Sequence, residues 1–295
     1  MGFEPTTFCM ASRRSSQLSY SRATAEYRCA YCRPVADFER DTAVSPAGDG
    51  AFDCEIHPAW WVVAGPNGGY VAAIVVRALE AVVAAGRPLR SLTVHYMRAP
   101  KEGPALVGTE TVREGRSVSF LRATLAQGDQ VCANAMAVFA ADREGMSFDT
   151  ARPPDVPAPE DVPERRQQRP AAPPFAQNFD FRPAIGGPPF EGADEAITGG
   201  WLWPKQGPDQ LDAALAVALC DSWFPAMFTA VDAPLAVPTL DLTVHLRAPL
   251  PRPADWVLGS FWTRRAREGF LEEDGELFSR DGELLAQSRQ LALSL

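Results

Sequence analysis

The chain has 295 residues, 46% of them hydrophobic and 22% charged, which excludes a disordered protein and supplies enough apolar material for sizeable cores. With 28 basic against 37 acidic residues, a formal charge of −9, it has no surplus of cations to displace counterions from a phosphate backbone, so nucleic acid is excluded as a general partner. The longest helix-like apolar stretch, Tyr70 to Val83, is interrupted by Arg77 and Glu80 and is too short to span a bilayer.

Residues 1–34 are rich in Ser, Arg and Thr and carry no sustained apolar periodicity, so they are expected to be a disordered or spurious extension. The words Gly2-Phe3-Glu4-Pro5-Thr6-Thr7-Phe8-Cys9 and Gln17-Leu18-Ser19-Tyr20 resemble the translated complement of a tRNA gene, which implies a misplaced start codon. An Arg- and Ser-rich targeting peptide is the competing reading. Three of the six cysteines fall in the first 32 residues, and Cys29-x-x-Cys32 lacks the second ligand pair of a zinc site. No metal or other cofactor is therefore expected, and a reducing cytoplasm is the expected compartment.

From Val35 to residue 150 the pattern reads as a strand, a buried helix and a run of strands. Phe52 to Ile56 is the first strand, followed by Trp60-Trp61 and the turn Gly65-Pro66-Asn67-Gly68-Gly69. Tyr70 to Ala85 is apolar nearly all round and is followed by Gly86, which predicts a helix wrapped by protein on most sides. Strands are predicted at about Leu89–Arg98, Ala105–Glu114, Ser117–Gln127 and Gln130–Ala140. Residues 151–175 are dense in proline with mixed charge and read as a solvent-exposed linker. Residues 176–295 repeat the plan: a strand at Ala196–Pro204, a helix from Leu211 to about Thr229, and strands at about Thr239–Arg247, Asp255–Arg265, Gly269–Ser279 and Glu283–Leu293.

The two series share words as well as order. Leu92-Thr93-Val94-His95-Tyr96-Met97-Arg98-Ala99-Pro100 returns 150 residues later as Leu242-Thr243-Val244-His245-Leu246-Arg247-Ala248-Pro249. Each series closes on an apolar strand behind a glycine turn, at Gly128-Asp129 and at Asp281-Gly282. Two copies of a long unit bury each other's faces as a pseudo-dimer, so gene duplication is the reading.

This doubled β-α-β-β-β-β order, with Gly68-Gly69 opening the first helix and Val112-Arg113-Glu114-Gly115-Arg116-Ser117-Val118-Ser119 in the first unit, resembles the type II acyl-CoA thioesterase family. The resemblance extends over Val35 to Leu295 and includes Ala218-Leu219-Cys220-Asp221, Thr239-Leu240-Asp241 and Gln290. It implies an α+β tandem (double) hotdog: two antiparallel sheets, each cradling a long central helix. It also implies hydrolysis of acyl-CoA to free acid and CoA, with Asp221, Thr239 and Gln290 orienting the water, and no cofactor.

Asp221 can be judged on its own. Val217, Ala218, Phe224 and Pro225 at helical spacing are apolar, which puts a carboxylate on a buried face, where it must find donors or titrate upward. Pro225 cannot donate to the carbonyl of residue 221, so the helix is opened beside the acid; a structural Asp settling that kink is the bland alternative. Thr239 and Gln290 gain weight from asymmetry between the units: an offset of 150 sets Leu89 opposite Thr239, and aligning Gly128 with Gly282 sets Met136 opposite Gln290. Strict alternation, however, turns Thr239 away from Leu242 and the core. Oxyanion donors are expected from the free amides of Gly68 and Gly69 at the helix start; tight packing explains those glycines equally well. His95 and His245, at equivalent places in the repeats, read as structural, and His57 is the one histidine to test for a hydratase. An acyl-CoA hydratase or dehydratase-like enzyme and a non-catalytic acyl-CoA binding protein are the alternative functions. Exposed sheet edges predict a homo-oligomer.

Overall fold

The computed structural model describes residues 36–164 and 173–295. The extension expected at residues 1–34 lies outside the described residues, as does part of the linker. The first unit runs α1 (Phe38–Thr42), β1 (Ser45–Gly48), β2 (Ala51–Ile56), α2 (Gly68–Glu80), β3 (Leu89–Tyr96), β4 (Gly103–Glu114), β5 (Val118–Gln127) and β6 (Gln130–Ala140). The second runs β7 (Phe179–Ile185), β8 (Ala196–Pro204), β9 (Gln210–Leu211), α3 (Ala213–Leu219) and α4 (Met227–Ala230), then β10 (Thr239–Leu246), β11 (Arg252–Pro253), β12 (Val257–Thr263), β13 (Ala266–Arg267), β14 (Phe270–Ser279) and β15 (Leu284–Leu293).

The expected pair of separate sheets is one sheet. Thirteen strands join in the order β1-β2-β4-β5-β6-β3-β10-β15-β14-β12-β8-β7, with β13 paired to β14. The seam is the repeated word itself: β3 and β10 pair antiparallel with Thr93 opposite Thr243, their hydroxyl oxygens 3.0 Å apart, and with Ser91 opposite His245 and His95 opposite Asp241. Because residues 91 and 95 correspond to 241 and 245, that register is a local two-fold axis through the threonine pair. Two edge strands that would otherwise present unpaired backbone groups satisfy each other. Leu92, Val94, Leu242 and Val244 alternate to the helix side of this seam and are fully buried.

The helices also depart from expectation, since neither sheet half holds a long central one. Asn67 caps α2, its side-chain oxygen accepting from the Tyr70 amide at 2.9 Å, a bond worth about 1 kcal/mol. The helix is regular for 13 residues, ten of them buried, and its last apolar residues close in a turn ahead of Gly86, five residues short of the expected end. Asp212 caps α3 at Leu215, but α3 has only seven residues. After Leu219 the amides of Asp221 and Ser222 reach back three residues rather than four, and Pro225 has none to give. The expected helix from Leu211 to Thr229 is therefore two short helices with Asp221 in the break. Helices α2 and α3 pack on each other, and one apolar core contains both along with the inner face of the sheet.

The linker is more than an exposed crossing. Val162 is buried with Trp201, Leu258 and Phe278, which alternate with core residues Leu202, Val257 and Leu277 and so face away from the helices. The Trp201 indole donates to the Pro157 carbonyl at 2.9 Å. Proline fixes much of this strap's backbone before folding, which lowers the entropy lost on laying it across the sheet.

Candidate active site

Asp221 meets the start of α2 where α3 stops. Its Oδ2 accepts from the Gly69 amide at 2.8 Å and the Asn67 Nδ2 at 3.0 Å, and the same Asn67 nitrogen donates to the Asp221 carbonyl at 2.7 Å. On the other side, Gln290 Nε2 donates to Asp221 Oδ1 at 2.9 Å. Thr239 in turn donates its hydroxyl proton to Gln290 Oε1, also at 2.9 Å. Residues up to 221 positions apart in sequence thus form one chain of hydrogen bonds running Thr239, Gln290, Asp221, Gly69.

Burial pushes the Asp221 carboxyl above its ordinary range, opposed by the Gly69 amide, the Gln290 and Asn67 side chains and, more weakly, the Gly68 amide. The N-terminal end of α2 adds the positive pole of a helix to the same carboxylate. Among the described residues the acid is thus held by donors without a cation. Nearby, Tyr96 donates to the Gly68 carbonyl at 2.8 Å, and burial raises its phenol well above the usual value, with Asp221 and Asp241 adding to the effect.

Close approach requires glycine at 69 and crowds any side chain at 68. A Cβ on Gly69 would sit 2.6 Å from the Ala218 carbonyl oxygen, and one on Gly68 would sit 3.0 Å from Asp221 Oδ2 and 3.1 Å from the Tyr96 ring. The tight packing is therefore against the end of α3 and Tyr96, and it serves the carboxylate directly.

The difficulty over Thr239 dissolves in a β-bulge. The register of β10 on β15 shifts between Thr239 and Asp241, so one extra residue turns Thr239 back to the face shared with Gln290. The same ladders correct the expected counterpart of Gln290. Leu242 faces Gln290 and its equivalent Leu92 faces Ala137, whereas Met136 faces Thr93 and is 46% exposed. The first-unit partner of Gln290 is therefore Ala137; a one-residue slip in alignment moves a side chain to the other face. Leu89, opposite Thr239 by the repeat, is buried.

Duplication also creates a second helix junction, and it is closed by charge. There Arg77, late in α2, donates to Asp212 at the start of α3 at 2.6 Å, and Asp212 simultaneously caps its helix. A carboxylate already paired and capping has no free role beside it.

His57 lies apart from the Asp221 set. Its Nδ1 accepts from the Ala59 amide at 3.2 Å and stands 3.8 Å from Asp41, whose oxygens take the Trp60 indole and the Arg40 guanidinium. It caps a short turn, which accounts for it without chemistry. His95 and His245 are exposed on the outer face. Asn67, Tyr96 and Glu273 line the site without having been singled out by sequence. For Tyr96 a signal existed, since the repeat sets it against Leu246. Among the described residues no group of His, Cys, Asp or Glu could hold a metal ion, and no helix is long and apolar enough to cross a membrane.

Family models match both halves: an acyl-CoA thioesterase N-terminal domain over residues 57–140 and an acyl-CoA thioesterase C-terminal domain over residues 152–294. A conserved protein of unknown function with a hotdog fold from Alicyclobacillus acidocaldarius is 30% identical, the alignment covering 88% of this chain and 97% of that one at a TM-score of 0.80. An acyl-CoA thioesterase II from Mycobacterium marinum (20% identity, 88% and 98% covered, TM-score 0.71) shares the fold. So does a tesB protein from Mycobacterium avium subs paratuberculosis (21% identity, 89% and 100% covered, TM-score 0.74). No curated protein matches the sequence. With both domain models matched in order over well over half of its length, the chain belongs to the acyl-CoA thioesterase family and has its hotdog fold.

Proposed function

We propose that this protein hydrolyses acyl-CoA thioesters at Asp221, using a water oriented by Thr239 and Gln290. The observation that carries the reading is the valence of Asp221. A carboxylate offers about four lone-pair sites, and three are occupied, by Gly69 and Asn67 on Oδ2 and by Gln290 on Oδ1. The remaining site, on Oδ1, is suited to accept one water proton. Thr239 donates into Gln290, so the glutamine amide is fixed with its N–H towards the acid and cannot flip to present its oxygen.

In this mechanism a water held on Oδ1 attacks the thioester carbon as Asp221 takes one of its protons. The tetrahedral intermediate then collapses, the carbon–sulfur bond breaks and the thiolate receives that proton, leaving free acid and CoA. A thioester is already electrophilic, so an aligned water and a stabilised oxyanion suffice and no nucleophilic side chain is needed. Both amides at the helix start act on Asp221, Gly68 more weakly than Gly69, so the Gly68 amide is the candidate donor for the developing oxyanion. The engagement of His57 in capping argues against the hydratase alternative. Release of free thiol from a panel of acyl-CoA esters tests the proposal: the parent liberates CoA and Asp221→Asn loses most of that activity while still binding ester. An Asp221→Asn protein that is folded and hydrolyses at the parent rate would overturn it.

A further inference from the structure

A second carboxyl group lies behind the first. Glu273 on β14 is directly opposite Gln290 on β15, so the two side chains leave the same face of the sheet side by side. It is 8% exposed, and its Oε2 accepts from the Ala226 amide at 2.5 Å. Ala226 closes the segment Asp221–Pro225 that separates α3 from α4, so this one bond ties the break carrying Asp221 to the strand carrying the partner of Gln290. Among the described residues no cation pairs with Glu273. Arg289 and Arg264 both pair with Asp274, the next residue along β14, which alternation puts on the opposite face. Glu272, on that outer side as well, accepts from the amides of Arg264 and Arg265. From the helical side the charge that acts on Glu273 is Asp221; α4 has none. On β12, Thr263, one step past the Trp262–Asp274 pair, has a buried hydroxyl without a partner.

A structural cap for α4 would be met by any small polar side chain and would not need a buried acid opposite Gln290, which itself binds a second one. We propose that Glu273 is a positioning residue of the hydrolytic site, setting the Asp221 segment against Gln290 through the Ala226 amide. The inference rests on the reading of Asp221 as the catalytic acid–base group.

Burial, with Asp221 and Asp274 adding repulsion, pushes the Glu273 carboxyl up to about 8. Below that pH the neutral acid leaves a single negative charge beside the reacting carbon. Above it, a second buried charge stands beside Asp221 and opposes the oxyanion, so turnover falls on the alkaline side.

The test is thiol release by the full chain from pH 6 to 10, for the parent, Glu273→Gln and Glu273→Ala, with Asp221→Asn alongside. Glu273→Ala is expected to lose about tenfold or more in kcat with KM within about twofold. Glu273→Gln, which keeps an oxygen for Ala226, restores kcat to within about threefold of the parent and abolishes the alkaline fall. A parent profile with no fall near pH 8, or an unaltered fall in Glu273→Gln, overturns the proposal, and the glutamine variant decides the matter even where the alanine variant fails to fold. Loss of activity in Asp221→Asn with an unaltered profile in Glu273→Gln sinks the role of Glu273 alone, whereas an active Asp221→Asn sinks the site and this inference with it.

Discussion

Replacing Gly69 with alanine adds one methyl group where two backbones touch. That carbon would lie 2.6 Å from the Ala218 carbonyl oxygen, 2.9 Å from Asp221 Cβ and 3.1 Å from Ala218 Cα, against an ordinary contact of about 3.4 Å or more. The carbonyl cannot rotate away, because it accepts from the Asp221 amide and the Ser222 hydroxyl. The junction of α2 and α3 must therefore open by roughly 0.8 Å, an overpacking cost of about 1–3 kcal/mol. Helix propensity works the other way by up to about 1 kcal/mol, so a net loss of about 1–2 kcal/mol is expected. For a domain of this size that is a fall in Tm of roughly 2–8 °C. The opening also stretches the bond from the Gly69 amide to Asp221, and a misplacement of about 1 Å at a reacting group costs on the order of a hundredfold in rate. Thermal unfolding and thiol release measure the two effects together, with Gly108→Ala, where an added Cβ meets nothing within 4 Å, as the control. A Gly69→Ala protein that melts and turns over like the parent would refute the claim that close approach at this residue builds the site.

Asp221→Asn should lose about a hundredfold or more in kcat and weaken the dependence of Tm on pH. The folded carboxyl titrates above its unfolded value, so the folded chain binds more protons and stability falls as pH rises through that window; the amide removes this dependence, and an unaltered dependence in the variant would contradict it. For the same reason hydrolysis by the parent should fall on the acid side at a pH above the ordinary carboxylate range, read from the pH dependence of kcat/KM. Thr239→Val, which removes the donor holding Gln290, should reduce kcat by roughly tenfold with little change in KM; equal activity would mean that the glutamine needs no anchor. Ala137→Gln buries an amide in a fully enclosed place and should cost on the order of 3 kcal/mol, whereas Met136→Gln on the outer face should be neutral in thermal unfolding; the reverse order would overturn the register-based correspondence.

Much of this protein was legible before any coordinates. Strand positions follow from period-two alternation and glycine turns, both local properties, and β6 and β8 match their expected bounds residue for residue. The repeated word signalled duplication, while Thr239 and Gln290 came from the resemblance to the type II acyl-CoA thioesterases, with the asymmetry between the repeats as support. What alignment could not do was count residues through a bulge, since an inserted residue leaves the composition of a strand unchanged while reversing which face each side chain takes. Hence Thr239 was expected on the wrong face and Met136 stood in for Ala137. Helix length failed for a related reason: an apolar run marks burial, while the stop after Leu219 is imposed by Pro225 and by the contact of Ala218 with Gly69, 149 positions away.

Local sequence thus determined the elements, the doubling and the candidate acid, because propensity and periodicity act over a few residues. Tertiary structure alone decided that the two repeats fuse into one sheet through Thr93 and Thr243, that Asn67 and Gly69 clasp Asp221, and that Glu273 stands behind Gln290. Each of those is a contact between groups far apart in the chain, selected by satisfaction of buried polar atoms and by shape, and neither quantity is written in the neighbours of any one residue.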